Sequence, residues 1–291
     1  TFTVTGLGLG PEVLADLAAG QHSWGEVLKK ARHPMLVLGS GALTRPDGAV
    51  ILGLARKLAE NLGAVREDWN GFNVLHTAAA RVGGLDLGFT PKPGGCDVAG
   101  ILAGAEAGEI EIVYLLGADE IDMARLGRAF VIYQGHHGDA GARRADVILP
   151  GAAYTEKDAI YVNLEGRPQA ARRAVFPPGE AREDWKIVRA LSEILGQKLP
   201  YDSLDQLRRR LVQVNPIFGA PGEVKKSAWG RFGAEGQIEP VAFAYPIADF
   251  YRTDPVSRAS VTMAQCAAVT LAASAAVTLA ASAAGGSRTH G

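Results

Sequence analysis

Short apolar runs that stop at glycine or proline, each followed by helical periodicity, recur along this chain, and that alternation restricts it to a layered α/β fold. Met35-Leu-Val-Leu38 ends at the Gly39-Ser-Gly41 turn, and Asp47 to Leu62 follows with Ile51, Leu54, Leu58 and Leu62 on one helical face. That is a strand, a turn and a helix. Glu111-Ile-Val-Tyr-Leu-Leu116 and Ala129-Phe-Val-Ile-Tyr133 read as two further buried strands, separated by a helical turn around Asp122 to Leu126. With Ala145 to Leu149 they predict a parallel sheet, whose strands are short and apolar because helices cover them.

A helix over Ala181 to Leu195 places Ile187, Leu191 and Ile194 on one side. It carries Glu183 and Asp184 near its positive end and meets a stop at Gly196. A second helix spans Ser203 to Val212. Between Pro216 and Pro246 glycine and proline recur, which reads as an extended arm packed on another surface. The last segment is of a different kind: Ala267 to Ser274 reads AAVTLAAS, and Ala275 to Ser282 repeats it without a charge. Two copies are too few for a solenoid, and the segment reads as a poorly ordered extension, or as a weak helix docked on a neighbour. The expected division is an α/β domain over 1–180, a helical and irregular extension over 181–258, and a low-complexity tail over 259–291.

Composition sets limits on partners. In 291 residues, 30 Lys and Arg stand against 31 Asp and Glu, so a net charge of −1 leaves no electrostatic footprint for nucleic acid or an anionic membrane. No apolar run is long enough to span a bilayer, so no direct membrane insertion is expected. The chain starts at Thr1 without a basic leader or an Arg-rich presequence, which reads as a fragment or a processed product. Cys96 and Cys266 are the only cysteines, too few for a disulfide framework, and a reducing compartment fits them best.

Ala145 to Gln169 reads ADVILPGAAYTEKDAIYVNLEGRPQ. Val147-Ile-Leu149 form a buried strand ending at Pro150-Gly151, so Tyr154, Thr155, Glu156 and Lys157 fall on a loop at the carboxyl edge of a sheet, where α/β folds bind ligands. Ile160 to Leu164 alternates as another strand, and Glu165 to Pro168 closes it with a turn. The bland alternative is a strand, a loop and an edge strand with ordinary surface charges.

The order Ala-Asp-Val-Ile-Leu-Pro, then Glu156-Lys157, then Asn163-x-Glu165-Gly166-Arg167-x-Gln169 resembles the signature of the molybdopterin oxidoreductases. Tyr133-Gln-Gly-His-His-Gly-Asp139-Ala-Gly upstream and Ala181 to Glu193 downstream are similar to the large iron-sulfur subunits of respiratory complex I. Pro34 to Gly48, Asn73 to Gly88 and Asp249 to Met263 share the likeness. The resemblance implies a molybdopterin oxidoreductase-like α/β domain with a Rossmann-like parallel sheet flanked by helices. It also implies a role as non-catalytic scaffold in the peripheral arm of a proton-translocating NADH-quinone oxidoreductase. Its partners would then be the other subunits of that arm, on the cytoplasmic side of a bacterial inner membrane or the matrix side of a mitochondrial one. The iron-sulfur clusters of that family lie in an amino-terminal region absent from this sequence. The other reading is part of a molybdenum enzyme such as a formate dehydrogenase.

The residues offer little chemistry of their own. Gly39-Ser-Gly41-Ala-Leu-Thr44 lacks the third glycine of a dinucleotide fingerprint, and Arg45-Pro46 interrupts the approach to the helix start, so NAD is not expected there. His136, His137 and Asp139 form the most suggestive polar cluster. A metal would need further ligands, for which only His76 and Cys96 qualify, and a hydrogen-bonded loop is the plainer reading. Two cysteines do not supply the four thiolates of a cluster, so both read as isolated buried or half-buried thiols. Glu156 and Lys157 are an acid/base pair or, more simply, a solvated ion pair. Many relatives carry Gly-Thr where Ala159-Ile160 stands and a small polar residue in place of Leu164, and these changes imply that the molybdenum-pterin site is lost. No catalytic, cofactor-binding or metal-binding residue is assigned to the chain.

Overall fold

A computed structural model describes residues 6–8, 10–247 and 249–270. In chain order the elements are α1 (Glu12–Ala19), α2 (Gly25–Lys29), β1 (Leu36–Leu38), α3 (Ser40–Leu43), α4 (Gly48–Asn61), β2 (Phe72–Val74), α5 (Arg81–Asp86) and α6 (Val98–Glu106). Then come β3 (Ile112–Leu116), β4 (Phe130–Gly135), α7 (Ala140–Arg144), β5 (Val147–Pro150), β6 (Ala159–Val162), β7 (Pro168–Ala171), α8 (Asp184–Ile194), α9 (Leu204–Val214) and α10 (Pro255–Ala259). Residues 261–270 are also helical. The chain forms two compact units, and neither is continuous in sequence. Compactness thus cuts it differently from a linear division by sequence character. Among the described residues no helix is long and apolar enough to cross a membrane.

The first unit takes the described residues of Thr1–Thr90, Ala159–Ala171 and Ser203–Pro246. Its centre is α4, whose Ile51, Ala55, Leu58 and Ala59 are buried, so the helical period read from the sequence holds with small residues among the large. Those small residues let α1 lie close, and Asn61 Nδ2 donates to the Ala18 carbonyl at 2.9 Å. β1 and β2 run parallel, Leu36 opposite Phe72. β6 and β7 form an antiparallel hairpin through the Glu165-Gly166 turn, as the alternation from Ile160 implied.

The arm from Pro216 to Pro246 packs on its own unit. Arg45 donates to the carbonyls of Glu239 (2.9 Å) and Val241 (2.6 Å), while its Nε donates to Asp47 Oδ1 at 2.7 Å. Asp47 Oδ2 in turn accepts the Glu239 amide at 2.8 Å. Higher along α4, Ala234 donates to the Ala49 carbonyl at 2.8 Å.

The second unit holds β3, β4 and β5 in one parallel sheet in that order, with Val113 opposite Val131 and Tyr133 opposite Ile148. Val113, Leu115, Val131 and Tyr133 form one face and close a core with Leu102 and Ala105 of α6, Leu126 and Ala129. The alternate positions were expected to be buried as well, and several are not: Ile112, Leu116 and Phe130 are exposed, while Tyr114 and Ile132 are half-buried. Val147 and Ile148 are exposed too, because β5 is the edge strand and only β4 flanks it. Two further expectations need correction. The helix over 261–270 includes the first residues of the repeat expected to be disordered, whose remainder lies outside the described residues. Cys96, expected to be at least half-buried, is exposed.

The two hydrogen bonds that Asp47 accepts, first from Arg45 and then from the Glu239 amide, hold its carboxyl at about 2, below the usual 3.8. A depressed carboxyl contributes stability above its ordinary range and loses it as the pH falls toward the folded value. Acid should therefore release the arm, and Asp47→Asn should do so at neutral pH. Hydrogen exchange read on peptides over 234–242 should show lost protection while α4 stays protected; unchanged exchange would contradict the clasp.

Candidate functional site

All three parallel strands of the second unit deliver polar groups to one carboxyl edge, the edge at which open α/β sheets bind ligands. After β3 the chain turns at Gly117 into Asp119 and Glu120. After β4 come His136, His137 and Asp139, and after β5 comes the loop that holds Tyr154 to Lys157. Gly151 leaves β5 beside the start of α8, bridged to Arg182. A Cβ on Gly151 would stand 2.9 Å from Asp184 Oδ1, so the close seating of α8 requires glycine there.

A guanidinium from the same chain fills one half of this edge. Arg258 bonds Asp119 Oδ1 at 2.8 Å, Glu120 Oε1 at 3.3 Å and Asp139 Oδ2. Asp119 is buried, and its other oxygen accepts the Gly141 amide at the start of α7 at 3.2 Å. The Arg258 bond is the main reason that the Asp139 carboxyl lies below its ordinary range. Arg258 is placed by the rigid start of α10. There Asp254 accepts the amides of Val256 (2.9 Å) and Ser257 (3.0 Å), and Pro255 occupies the first helical position.

The other half is a relay of fixed partners. Tyr114 donates to Gln134 Oε1 at 2.5 Å, and the fully buried Gln134 donates to Asp184 Oδ1 at 2.9 Å. Asp184 Oδ2 pairs with Lys157. Glu156 accepts the Ala153 amide at 2.9 Å, so the adjacent charges of Glu156 and Lys157 turn to different partners and do not form the solvated pair expected of them. The Nδ1 atoms of His136 and His137 lie 2.6 Å apart, a contact that requires one of them to be an acceptor. Burial first, then the electrostatic effects of His137 and Lys157, lowers the His136 pKa.

This edge does not suit an anionic dinucleotide. Asp119, Glu120 and Asp139 line this edge, Arg258 and Lys157 are committed to carboxylates, and Arg143 lies 3.6 Å from Asp139. The helix-start amide of Gly141 already has an acidic acceptor. The glycine turn of the first unit is no better. A Cβ on Gly41 would stand 2.5 Å from the Ala244 carbonyl, so the arm covers the surface on which phosphates rest in dinucleotide folds.

Among the described residues no group of three or more His, Cys, Asp and Glu side chains is arranged to hold a metal. Asp139 is taken by Arg258, and His76 sits in the first unit, half-buried, with its pKa lowered by burial. Asp119, Gln134, Asp184 and Arg258 escape a reading of the sequence. Their only local signals are a lone polar residue ending an apolar strand, an acid in a first helical turn, and an Asp-Pro-x-Ser helix start ahead of an arginine.

Comparison with known proteins agrees with the signature. The molybdopterin oxidoreductase family model matches residues 1–194, and a model of the C-terminal region of the NADH-ubiquinone oxidoreductase G subunit matches residues 223–266. The chain is similar to the NADH-quinone oxidoreductase G subunit of Rickettsia felis, 43% identical over 268 residues, which is 91% of this chain and 38% of the relative. The corresponding protein of Rickettsia bellii is 40% identical over 266 residues, 91% and 37% of the two chains. The NADH-ubiquinone oxidoreductase 75 kDa subunit of Reclinomonas americana is 40% identical over 276 residues, 92% and 38%. The chain thus spans less than two fifths of the length of the curated relatives it matches.

Removing Arg258 would leave the buried Asp119 without its counter-charge and Asp139 with only the exposed Arg143, 3.6 Å away. Breaking one partner of such a cluster costs about 3 kcal/mol. Arg258→Ala should lower the urea midpoint of unfolding accordingly, and adding Asp139→Asn should recover part of the loss. Equal midpoints for wild type and Arg258→Ala would show that the cluster is not coupled to folding.

Proposed function

The chain belongs to the molybdopterin oxidoreductase family, and from that membership we propose that it is the non-catalytic scaffold portion of the large peripheral-arm subunit of a proton-translocating NADH-quinone oxidoreductase. One observation carries the reading: the sheet edge at which this family's fold would receive a cofactor is closed by Arg258, from the chain's own carboxyl-terminal segment. A guanidinium committed to three carboxylates has few donors left for a phosphate. The departures at Ala159-Ile160 and Leu164 point the same way. Electron transfer from NADH to quinone then runs through other parts of the assembly, including iron-sulfur clusters held in a preceding region of the full-length subunit. The retained fold supports that region and contacts neighbouring subunits, at the cytoplasmic face of a bacterial inner membrane or the matrix face of a mitochondrial one.

Elemental analysis of the purified full-length subunit tests this. Iron and sulfide should be present, while molybdenum, tungsten and the fluorescent oxidation product of pterin should fall far below one per chain. Stoichiometric molybdenum or tungsten with extractable pterin would overturn the scaffold reading and favour a molybdenum enzyme of the formate dehydrogenase type.

A further inference from the structure

Beside the carboxyl edge, the second unit carries a rigid knob of apolar side chains. The strand-like segment after β7 returns along the Tyr154 to Glu156 turn: the amides of Ala174 and Val175 donate to the Thr155 carbonyl at 2.8 and 3.2 Å. The Arg173 amide reaches Asp158 Oδ1 at 3.4 Å, and Ala181 closes the far end by donating to the Pro178 carbonyl at 3.0 Å. Pro177 and Pro178 fix two backbone torsions between these anchors. On this fixed frame Val175 is 55% exposed, Phe176 77% and Tyr154, on the turn to which it is tied, 63%. A flexible loop would fold such side chains away; this one is held so that they project.

The cations around the knob are placed as deliberately. The Arg173 guanidinium lies 4.2 Å from the Phe176 ring centroid, close enough for a cation–π contact that orients the ring, with Glu183 Oε1 4.0 Å from its Nη1, and Arg172 is exposed next to it. Aromatic and arginine side chains presented by a preorganised backbone have the composition of an interface hot spot, because little side-chain entropy remains to be lost on docking. Resting on the scaffold reading above, we infer that this knob, centred on Phe176, plugs an apolar pocket with a carboxylate rim on a neighbouring subunit of the same assembly. A second copy of the chain fits less well, since a two-fold contact through the knob would bring its arginines together.

The test uses the assembled complex, purified with a photoreactive benzoyl-phenylalanine at position 176 of the full-length subunit. Illumination should cross-link that position to one other subunit, at a peptide that mass spectrometry maps beside Asp or Glu. Phe176→Ala should lower retention of the subunit in the complex at high salt about tenfold, with its circular dichroism unchanged because the ring is exposed. Arg173→Glu should weaken retention as well. Cross-linking only to its own chain, to a second copy or to lipid, or wild-type retention of both variants, would overturn the knob while leaving the scaffold reading intact. Absence of the subunit from the purified complex would overturn both.

Discussion

Arginine paired with carboxylate in a loop beside a parallel sheet is the interaction on which much of each unit depends. In the first unit Arg45 and Asp47, both nearly buried, sit between α3 and α4 and gather the arm through the carbonyls and amide of residues 239–241. In the second unit Arg258 joins the loops after β3 and β4 through Asp119 and Asp139. Burying ions is unfavourable unless every lone pair and proton finds a partner, and both clusters meet that condition: among the described residues no buried side-chain polar atom lacks one. The geometry also decides what the sheet edges can do. A guanidinium that satisfies its own carboxylates has few donors left for a phosphate, so the contact that closes the structure also withholds what an anionic cofactor would need.

Much of the element order was legible in the sequence. α4 follows from local periodicity and β3 from its short apolar run, and both survive because their buried residues pack against elements of the same unit, α1 and α6 among them. The polar pairings were not legible. Arg258 is 139 residues from Asp119, and Lys157 chooses Asp184, 27 residues away, over the adjacent Glu156. Neither choice leaves a trace in spacing, because an ion pair is set by the path of the backbone and not by periodicity. Burial at the sheet margin was equally hidden: Val147 and Ile148 read as core, yet no sequence rule says which strand of a parallel sheet is the edge one.

The family signature has a physical reading beside its evolutionary one. Its loop residues serve structure here: Glu156 caps its own turn, Lys157 holds the start of α8 through Asp184, and Thr155 anchors the returning segment with its carbonyl. Asn163 accepts the amides of Glu165 and Arg167 at 3.0 Å each, which shapes the hairpin turn between β6 and β7. The motif's residues thus have structural partners within this chain, Glu156 and Asn163 by accepting backbone amides and Lys157 by pairing with Asp184.

The interleaving of the two units has a consequence for how the chain is made. The Glu239 amide that completes the shell of Asp47 and the Arg258 guanidinium that neutralises Asp119 both lie more than a hundred residues further along. On a ribosome Asp47 and Asp119 must each wait for a late partner, Asp119 with its charge uncompensated, so neither unit can finish folding until those distant residues have emerged. Order of synthesis, and not only final geometry, makes the emergence of Glu239 and Arg258 the step that commits the two units.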